Sequence, residues 1–237
     1  MILLQHLLVF FLIVVTPLWD WFEIPRLKAS TAPRKKIRFF RKIILASWIC
    51  AFVAMLTAGF DSVFWIRADS GEISWLRPDG PGRMALLGVM AGMLGAIFVP
   101  AILALVSGKI RAKAAKSARR LSFILPSTQE ERGWWWLVCV TAGICEEIVY
   151  RGFLLHYLHV LPFHLGLTRA LVVAAVIFGI AHLYQGVAGG ISTAVIGFVF
   201  GGLFLVTGSL LIPMVIHAVM DLRVLAMLPV GFETAPE

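Results

Sequence analysis

Residues Cys145-Glu146-Glu147-Ile148-Val149-Tyr150-Arg151 place two carboxylates and an arginine inside an apolar run. Between positions 134 and 157, most of the other residues are Trp, Leu, Val, Ile, Phe or small. A helix here is expected to be buried in lipid or protein, where each uncompensated charge costs about 2.5–3.5 kcal/mol. We therefore expect each of these charged side chains to have a partner or a function.

The spacing of the three charges distinguishes the two glutamates. Glu147 and Arg151 are four residues apart, so their side chains lie on the same face of a helix and can form an ion pair. Glu146 is rotated by about 100° from Glu147 around the helix axis and cannot share Arg151 as easily. The spacing predicts one paired carboxylate and one whose partner lies elsewhere in the chain.

The composition is that of a polytopic membrane protein. The chain has 237 residues, of which 60% are apolar and 14% charged, and its mean hydropathy is +0.91. The net charge of +8 comes from loops between apolar runs, which indicates membrane topology and argues against a nucleic-acid partner. All three cysteines lie in apolar segments and are predicted to be packing residues: Cys50, Cys139 and Cys145.

Seven apolar runs are long enough to cross a hydrocarbon core, which takes about 20 residues. They are predicted at 2–22, 43–66, 84–107, 134–156, 170–187, 189–206 and 210–228. The first lacks a basic leading region and a small-residue cleavage site, so we expect a retained helix. We predict an all-α transmembrane bundle with two parts. Residues 1–133 supply N-terminal spans and basic loops, and residues 134–237 form a motif-bearing catalytic bundle.

Loop charges predict the orientation in the membrane. Segment 23–42 holds eight Lys/Arg and one acidic residue, and segment 108–132 holds seven Lys/Arg and two acidic residues. Segment 67–83 is balanced, with three of each sign. The positive-inside rule places the two basic segments in the cytoplasm, the N-terminus outside and the C-terminus inside. We expect a multi-pass protein of the plasma membrane, the inner membrane of a bacterium.

Few ionisable residues occur in the later spans. His182 lies within the fifth span, and His217 and Asp221 lie one turn apart on the same face of the seventh. With a helix rise of about 1.5 Å per residue, these side chains and Glu146 reach similar depths. Ionisable side chains at one depth on three helices indicate a functional site.

Two hydrolytic chemistries fit these residues. In the first, Glu146 acts as a general base on a water, helped by His182, and His217 with Asp221 stabilises the oxyanion. In the second, Glu146, His182 and His217 bind Zn²⁺, although the close ligand spacing of most zinc peptidases is absent.

Two other chemistries are less well supported by the sequence. A serine nucleophile at Ser209 would lack a Gly-x-Ser-x-Gly elbow. A proton or ion relay would suit buried Asp, Glu and His residues, but no inverted repeat or broken half-helix is evident.

Three motifs follow one another on successive spans: Glu146-Glu147-x-x-x-Arg151, Phe178-x-x-x-His182 and His217-x-x-x-Asp221. Together they resemble the CAAX prenyl protease and bacteriocin-processing family. This is the membrane family of type II CAAX prenyl endopeptidases, also described as abortive-infection-like proteins. The motif-bearing part, about residues 134–228, makes up roughly two-fifths of the chain.

The resemblance implies an intramembrane endopeptidase with a glutamate-activated water and no metal or other cofactor. By this resemblance, Glu146 and His182 form the water-activating pair. His217 and Asp221 form the oxyanion-stabilising pair, and Glu147 and Arg151 form a supporting pair. The position of Asp221 looks like one that holds Asn in the prenyl-protein enzymes, and Asn can donate a hydrogen bond to an oxyanion. A carboxylate only accepts hydrogen bonds, so we expect Asp221 to orient His217.

The expected substrate is a peptide or a membrane-associated protein, and the lipid bilayer is the expected surrounding. The alternative function is a non-proteolytic membrane partner or bacteriocin-immunity protein that keeps the fold. Complete motifs argue against it, because a scaffold has no reason to keep unpaired charge in lipid.

The charge asymmetry yields a topology prediction. Reporters fused within 67–83 should be extracytoplasmic, and reporters fused within 108–132 should be cytoplasmic, because basic loops stay on the cytoplasmic side. Alkaline phosphatase and green fluorescent protein fusions at both places measure this directly. The opposite pattern would invert the orientation.

Overall fold

Helices form most of the computed structural model, which describes residues 1–65, 73–76, 80–160 and 164–232. No β-strand occurs in these ranges, where an isolated antiparallel bridge joins Trp65 and Ser209. The helices are α1 (Ile2–Ala29), α2 (Lys35–Ala58), α3 (Phe60–Phe64), α4 (Pro81–Val106), α5 (Gly108–Ala118), α6 (Gln129–Glu146), α7 (Leu155–Val160), α8 (Leu167–Ile180), α9 (Val187–Thr207) and α10 (Leu211–Met227). The all-α fold predicted from the sequence is confirmed.

Four helices of the described residues are long and apolar enough to cross a membrane: α1, α2, α4 and α9. The other three predicted spans correspond to helices that are shorter or charged. α8 has 14 residues and α10 has 17. α6 ends at Glu146 and leads directly into a π-helical segment, Glu147–Leu154, which carries Glu147 and Arg151 of the first motif.

Several predicted span limits were wrong. The basic segment 23–42 was predicted as a loop, yet most of it is helical, because α1 runs to Ala29 and α2 begins at Lys35. The span predicted at 43–66 ends early, since Gly59 at φ +86° terminates α2 after Ala58. The span predicted at 170–187 ends at Ile180, so His182 lies in the turn that follows α8. Most of segment 67–83 lies outside the described residues.

Local signals in the sequence explain where α6 begins. The Thr128 hydroxyl accepts from the Glu131 N–H at 3.2 Å, and Glu131 accepts in return from the Thr128 N–H at 3.1 Å. This capping box satisfies backbone donors at the start of the helix. Arg132 then donates to the carbonyls of Leu225 and Leu228, at 2.5 and 2.8 Å, and thereby caps the end of α10. α6 and α10 are therefore joined at this end of the bundle.

Close packing between α6 and α10 depends on a glycine. A Cβ atom at Gly143 would lie 2.7 Å from both the backbone nitrogen and the Cβ of Ala218. α2 packs on another side of α6, and α8 packs along α9. The largest buried core contains residues from α1, α2, the π segment, α8 and α9. These contacts place the π segment, the end of α8 and the middle of α10 next to one another.

We expect Gly143→Ala to destabilise the protein by about 1–3 kcal/mol, because the added methyl group meets backbone atoms that cannot rotate away. Gly88→Ala is the matched control, since a Cβ there has no atom within 4 Å and Gly88 is also helical. Alanine raises helix propensity at both positions, so the control should be neutral or stabilising. Thermal unfolding of the detergent-purified proteins measures the difference. Equal stability of the two variants would contradict the close packing of α6 on α10.

Candidate active site

Glu147 is the most deeply buried ionisable residue of the candidate site, with a side chain that is 0% exposed. Its Oε1 atom lies 3.0 Å from Arg151 Nη1, as the four-residue spacing predicts. The same oxygen accepts a hydrogen bond of 2.7 Å from His217 Nδ1. Glu147 therefore links the π segment to α10 through one oxygen atom.

Aromatic rings surround the guanidinium of Arg151. Its Cζ lies 4.1 Å from the centroid of the Phe178 ring and 5.7 Å from that of Phe200. The Tyr150 ring packs edge-on against Phe178, with centroids 4.8 Å apart. A cation over an aromatic face is stabilised by the quadrupole of the ring, and the effect is largest when water is excluded.

Glu146 faces away from this ion pair, as its rotation around the helix predicts. Its side chain is 24% exposed, and its Oε2 atom is buried without a hydrogen-bond partner among the described residues. Oε2 lies 3.9 Å from His182 Nε2 and 3.9 Å from His217 Nε2. These separations are too long for direct hydrogen bonds. They suit groups that act together on a molecule placed between them.

Both histidines are oriented in the same way. His217 donates through Nδ1 to Glu147, and His182 donates through Nδ1 to the Phe178 carbonyl at 2.8 Å. A bond at Nδ1 fixes the rotation of an imidazole ring and leaves Nε2 available. Each ring therefore presents Nε2 to the same oxygen of Glu146.

Asp221 lies beside His217 as the one-turn spacing predicts, with Oδ2 3.6 Å from His217 Nε2. Its side chain is 34% exposed, so it forms the more open side of the cluster. The structure brings all six predicted residues together: Glu146, Glu147, Arg151, His182, His217 and Asp221.

The hydrogen bond from His217 to Glu147 was not predicted. Asp221 was predicted to orient His217, but Nδ1 of His217 donates to Glu147, and Asp221 lies near Nε2 instead. Phe178 was also missed as a site residue. It contacts the Arg151 guanidinium and packs 4.5 Å from the His182 ring, and its place four residues before His182 was the available signal.

Other residues singled out from the sequence lie outside the cluster. Ser209 lies in the turn before α10, where its hydroxyl accepts from the Leu211 N–H at 3.3 Å. Cys139 and Cys145 are buried free thiols, and Cys50 is half-buried. In the described part of the chain, no three His, Cys, Asp or Glu side chains are arranged to hold a metal ion. In the zinc alternative the ligands would be Glu146, His182 and His217, in which Glu146 Oε2 lies 3.9 Å from the Nε2 atom of each histidine.

Substitutions of the two adjacent glutamates should have different effects on stability. Glu147→Gln removes the charge that balances Arg151 in a fully buried site, which costs about 3–5 kcal/mol when one partner of a buried pair is lost. Glu146→Gln leaves both contacts of Glu147 intact and should fold almost normally. Yield of monodisperse protein and thermal unfolding in detergent measure both variants. Equal losses in the two variants would show that Glu146 has a structural role.

Comparison with known proteins gives one family match. The family model for Type II CAAX prenyl endopeptidase Rce1-like proteins matches residues 128–223. No curated protein and no solved structure matches the chain. The matched segment begins at the N-cap of α6 and includes all three motifs.

The matched segment thus contains the two carboxylates, the arginine and both histidines whose geometry is described above. It also contains Asp221, the last residue of the third motif. The family resemblance predicted from these motifs is confirmed, since residues 128–223 of this membrane protein match the Type II CAAX prenyl endopeptidase Rce1-like family.

Proposed function

We propose that this protein is an intramembrane endopeptidase that hydrolyses a peptide bond with a water activated by Glu146. The observation that carries the proposal is the position of Glu146 Oε2. This oxygen is buried, has no hydrogen-bond partner among the described residues, and is equally distant from two imidazole Nε2 atoms. The family match supports a protease that acts on a peptide or protein substrate.

In the proposed reaction, Glu146 takes a proton from a water that His182 holds through Nε2. The water oxygen attacks the scissile carbonyl carbon, and the carbonyl oxygen becomes an oxyanion. General-base assistance of this kind contributes about 10²–10⁴-fold to the rate. Glu146 then transfers the proton to the leaving nitrogen, so that the peptide bond breaks and the carboxylate is regenerated.

His217 is proposed to stabilise the oxyanion. It donates through Nδ1 to Glu147 and, as an imidazolium, through Nε2 to the oxyanion. Asp221 contacts the Nε2 side of the ring, and Glu147 holds the Nδ1 side. Arg151 compensates the charge of Glu147 and has no direct part in the reaction.

We further propose that the chain is divided into N-terminal spans (1–133) and a catalytic bundle (134–237), and that the N-terminus lies outside.

The activity test compares the peptides released by membranes that contain the wild-type protein, Glu146→Gln or Glu130→Gln. Glu130 is the matched control, because it lies on the same helix and, among the described residues, forms only an exposed ion pair with Arg34 at 3.3 Å. Mass spectrometry should find the same released peptides with the wild-type protein and the control, and at least about 10²-fold less with Glu146→Gln. Peptides that persist with Glu146→Gln would contradict the role of Glu146. Identical peptides with and without the protein would favour the non-proteolytic alternative.

A second arm of the same assay separates glutamate chemistry from zinc chemistry. A glutamate-activated water should give cleavage that resists chelators, in protein with far less than one zinc per chain. A zinc enzyme should contain about one zinc per chain, lose activity to a chelator and recover it with added Zn²⁺. Elemental analysis together with this rescue would overturn the metal-free proposal.

A further inference from the structure

A basic pocket of about 370 Å³ lies outside the candidate active site. Three separate segments form it: the last turn of α1, the first turn of α2 and the connection between α5 and α6. The residues that line this basic pocket are Lys28, Lys35, Lys36, Arg120, Ser122 and Phe123.

The cations of the basic pocket are held in different ways. Lys36 is buried, donates to the Leu125 carbonyl at 2.8 Å and lies 3.9 Å from Glu131 Oε2. The Lys28 ammonium lies over the Phe123 ring, 4.6 Å from its centroid, which holds the charge against the pocket wall. Lys28 and Arg120 are exposed, and in the described part of the chain neither has a carboxylate within 4.0 Å.

Three cations of the basic pocket, Lys28, Lys35 and Arg120, have no carboxylate within 4.0 Å among the described residues, and this excess of positive charge favours an anionic ligand. Lys35 uses one of its three N–H donors on the Ser30 carbonyl, at 2.6 Å, and keeps two. Arginine binds phosphate oxygens through paired N–H donors, and lysine adds point charges around them. The Ser122 hydroxyl supplies a further donor. These groups together match the oxygens of a phosphate group.

The place of the pocket indicates where that phosphate comes from. Lys28 lies near the end of α1 and Lys35 at the start of α2, and both helices are long and apolar enough to cross a membrane. The ends of such helices lie at the level of the lipid headgroups. The cavity is much larger than the roughly 10–15 Å³ that a cavity needs to hold one water and has room for a headgroup. We infer that the basic pocket binds the phosphate group of an anionic phospholipid.

The test measures binding of phosphatidylglycerol to the full chain in detergent by native mass spectrometry, with phosphatidylcholine as the neutral lipid. Lys28→Gln/Arg120→Gln removes two pocket cations. Lys109→Gln/Lys113→Gln is the matched control, because it removes two exposed cations from α5 outside the pocket. The pocket variant should bind phosphatidylglycerol about 30-fold more weakly, roughly fivefold for each cation lost. The control should change binding by less than about threefold, since salt at 0.15 M screens charges beyond about 8 Å.

Three results would overturn the inference. Equal weakening in the two double variants would show that overall surface charge, and not the pocket, attracts the lipid. Equal affinity of the wild-type protein for phosphatidylcholine would exclude recognition of an anion. Binding of inorganic phosphate without phosphatidylglycerol, lost in the pocket variant, would assign the pocket to free phosphate. Lys28→Arg/Arg120→Lys keeps both charges and should bind like the wild-type protein, which separates lost binding from lost folding.

Discussion

The interior of this protein depends on one carboxylate oxygen. Glu147 Oε1 contacts both the Arg151 guanidinium and the His217 imidazole, and the glutamate side chain is completely buried. An isolated charge at such a place would cost several kcal/mol, whereas here each charged group compensates another. Because His217 belongs to α10, the interaction also sets how α10 is rotated relative to the π segment. The close contact of Gly143 with Ala218 and the capping of α10 by Arg132 keep the two helices in that arrangement.

Two adjacent glutamates thereby acquire opposite environments. Glu147 contacts Arg151 and His217 through its Oε1 atom, whereas the Oε2 atom of Glu146 faces the Nε2 atoms of two histidines without a hydrogen bond to either. Their separation by about 100° around a helix produces this difference. The paired residue stabilises the fold, and the unpaired one is left to the proposed chemistry. The anchoring of both imidazoles through Nδ1 completes the arrangement, since it directs each Nε2 atom towards Glu146.

Contacts within one helix were predictable from the sequence, and contacts between helices were not. The Glu147–Arg151 and His217–Asp221 pairs each follow from a four-residue spacing. The bond from His217 to Glu147 spans 70 positions and depends on the rotation of two helices, which no local pattern encodes. The predictions of where helices begin and end were wrong for a related reason. Lys36 lies in a predicted loop, but its ammonium reaches the Leu125 carbonyl and Glu131, and these distant partners accompany a helix that begins at Lys35.

The order of the motifs along the chain has a consequence for biogenesis. The π segment is synthesised before α10, so Glu147 is at first without His217. Its partner four residues later is made almost at once, and the pair neutralises itself within one helical segment. Glu146 has no such local partner, and the two histidines that face it, His182 and His217, are synthesised later. The Glu147–Arg151 pair can thus form within one segment early in synthesis, whereas the complete cluster requires His217 and Asp221, which are made last.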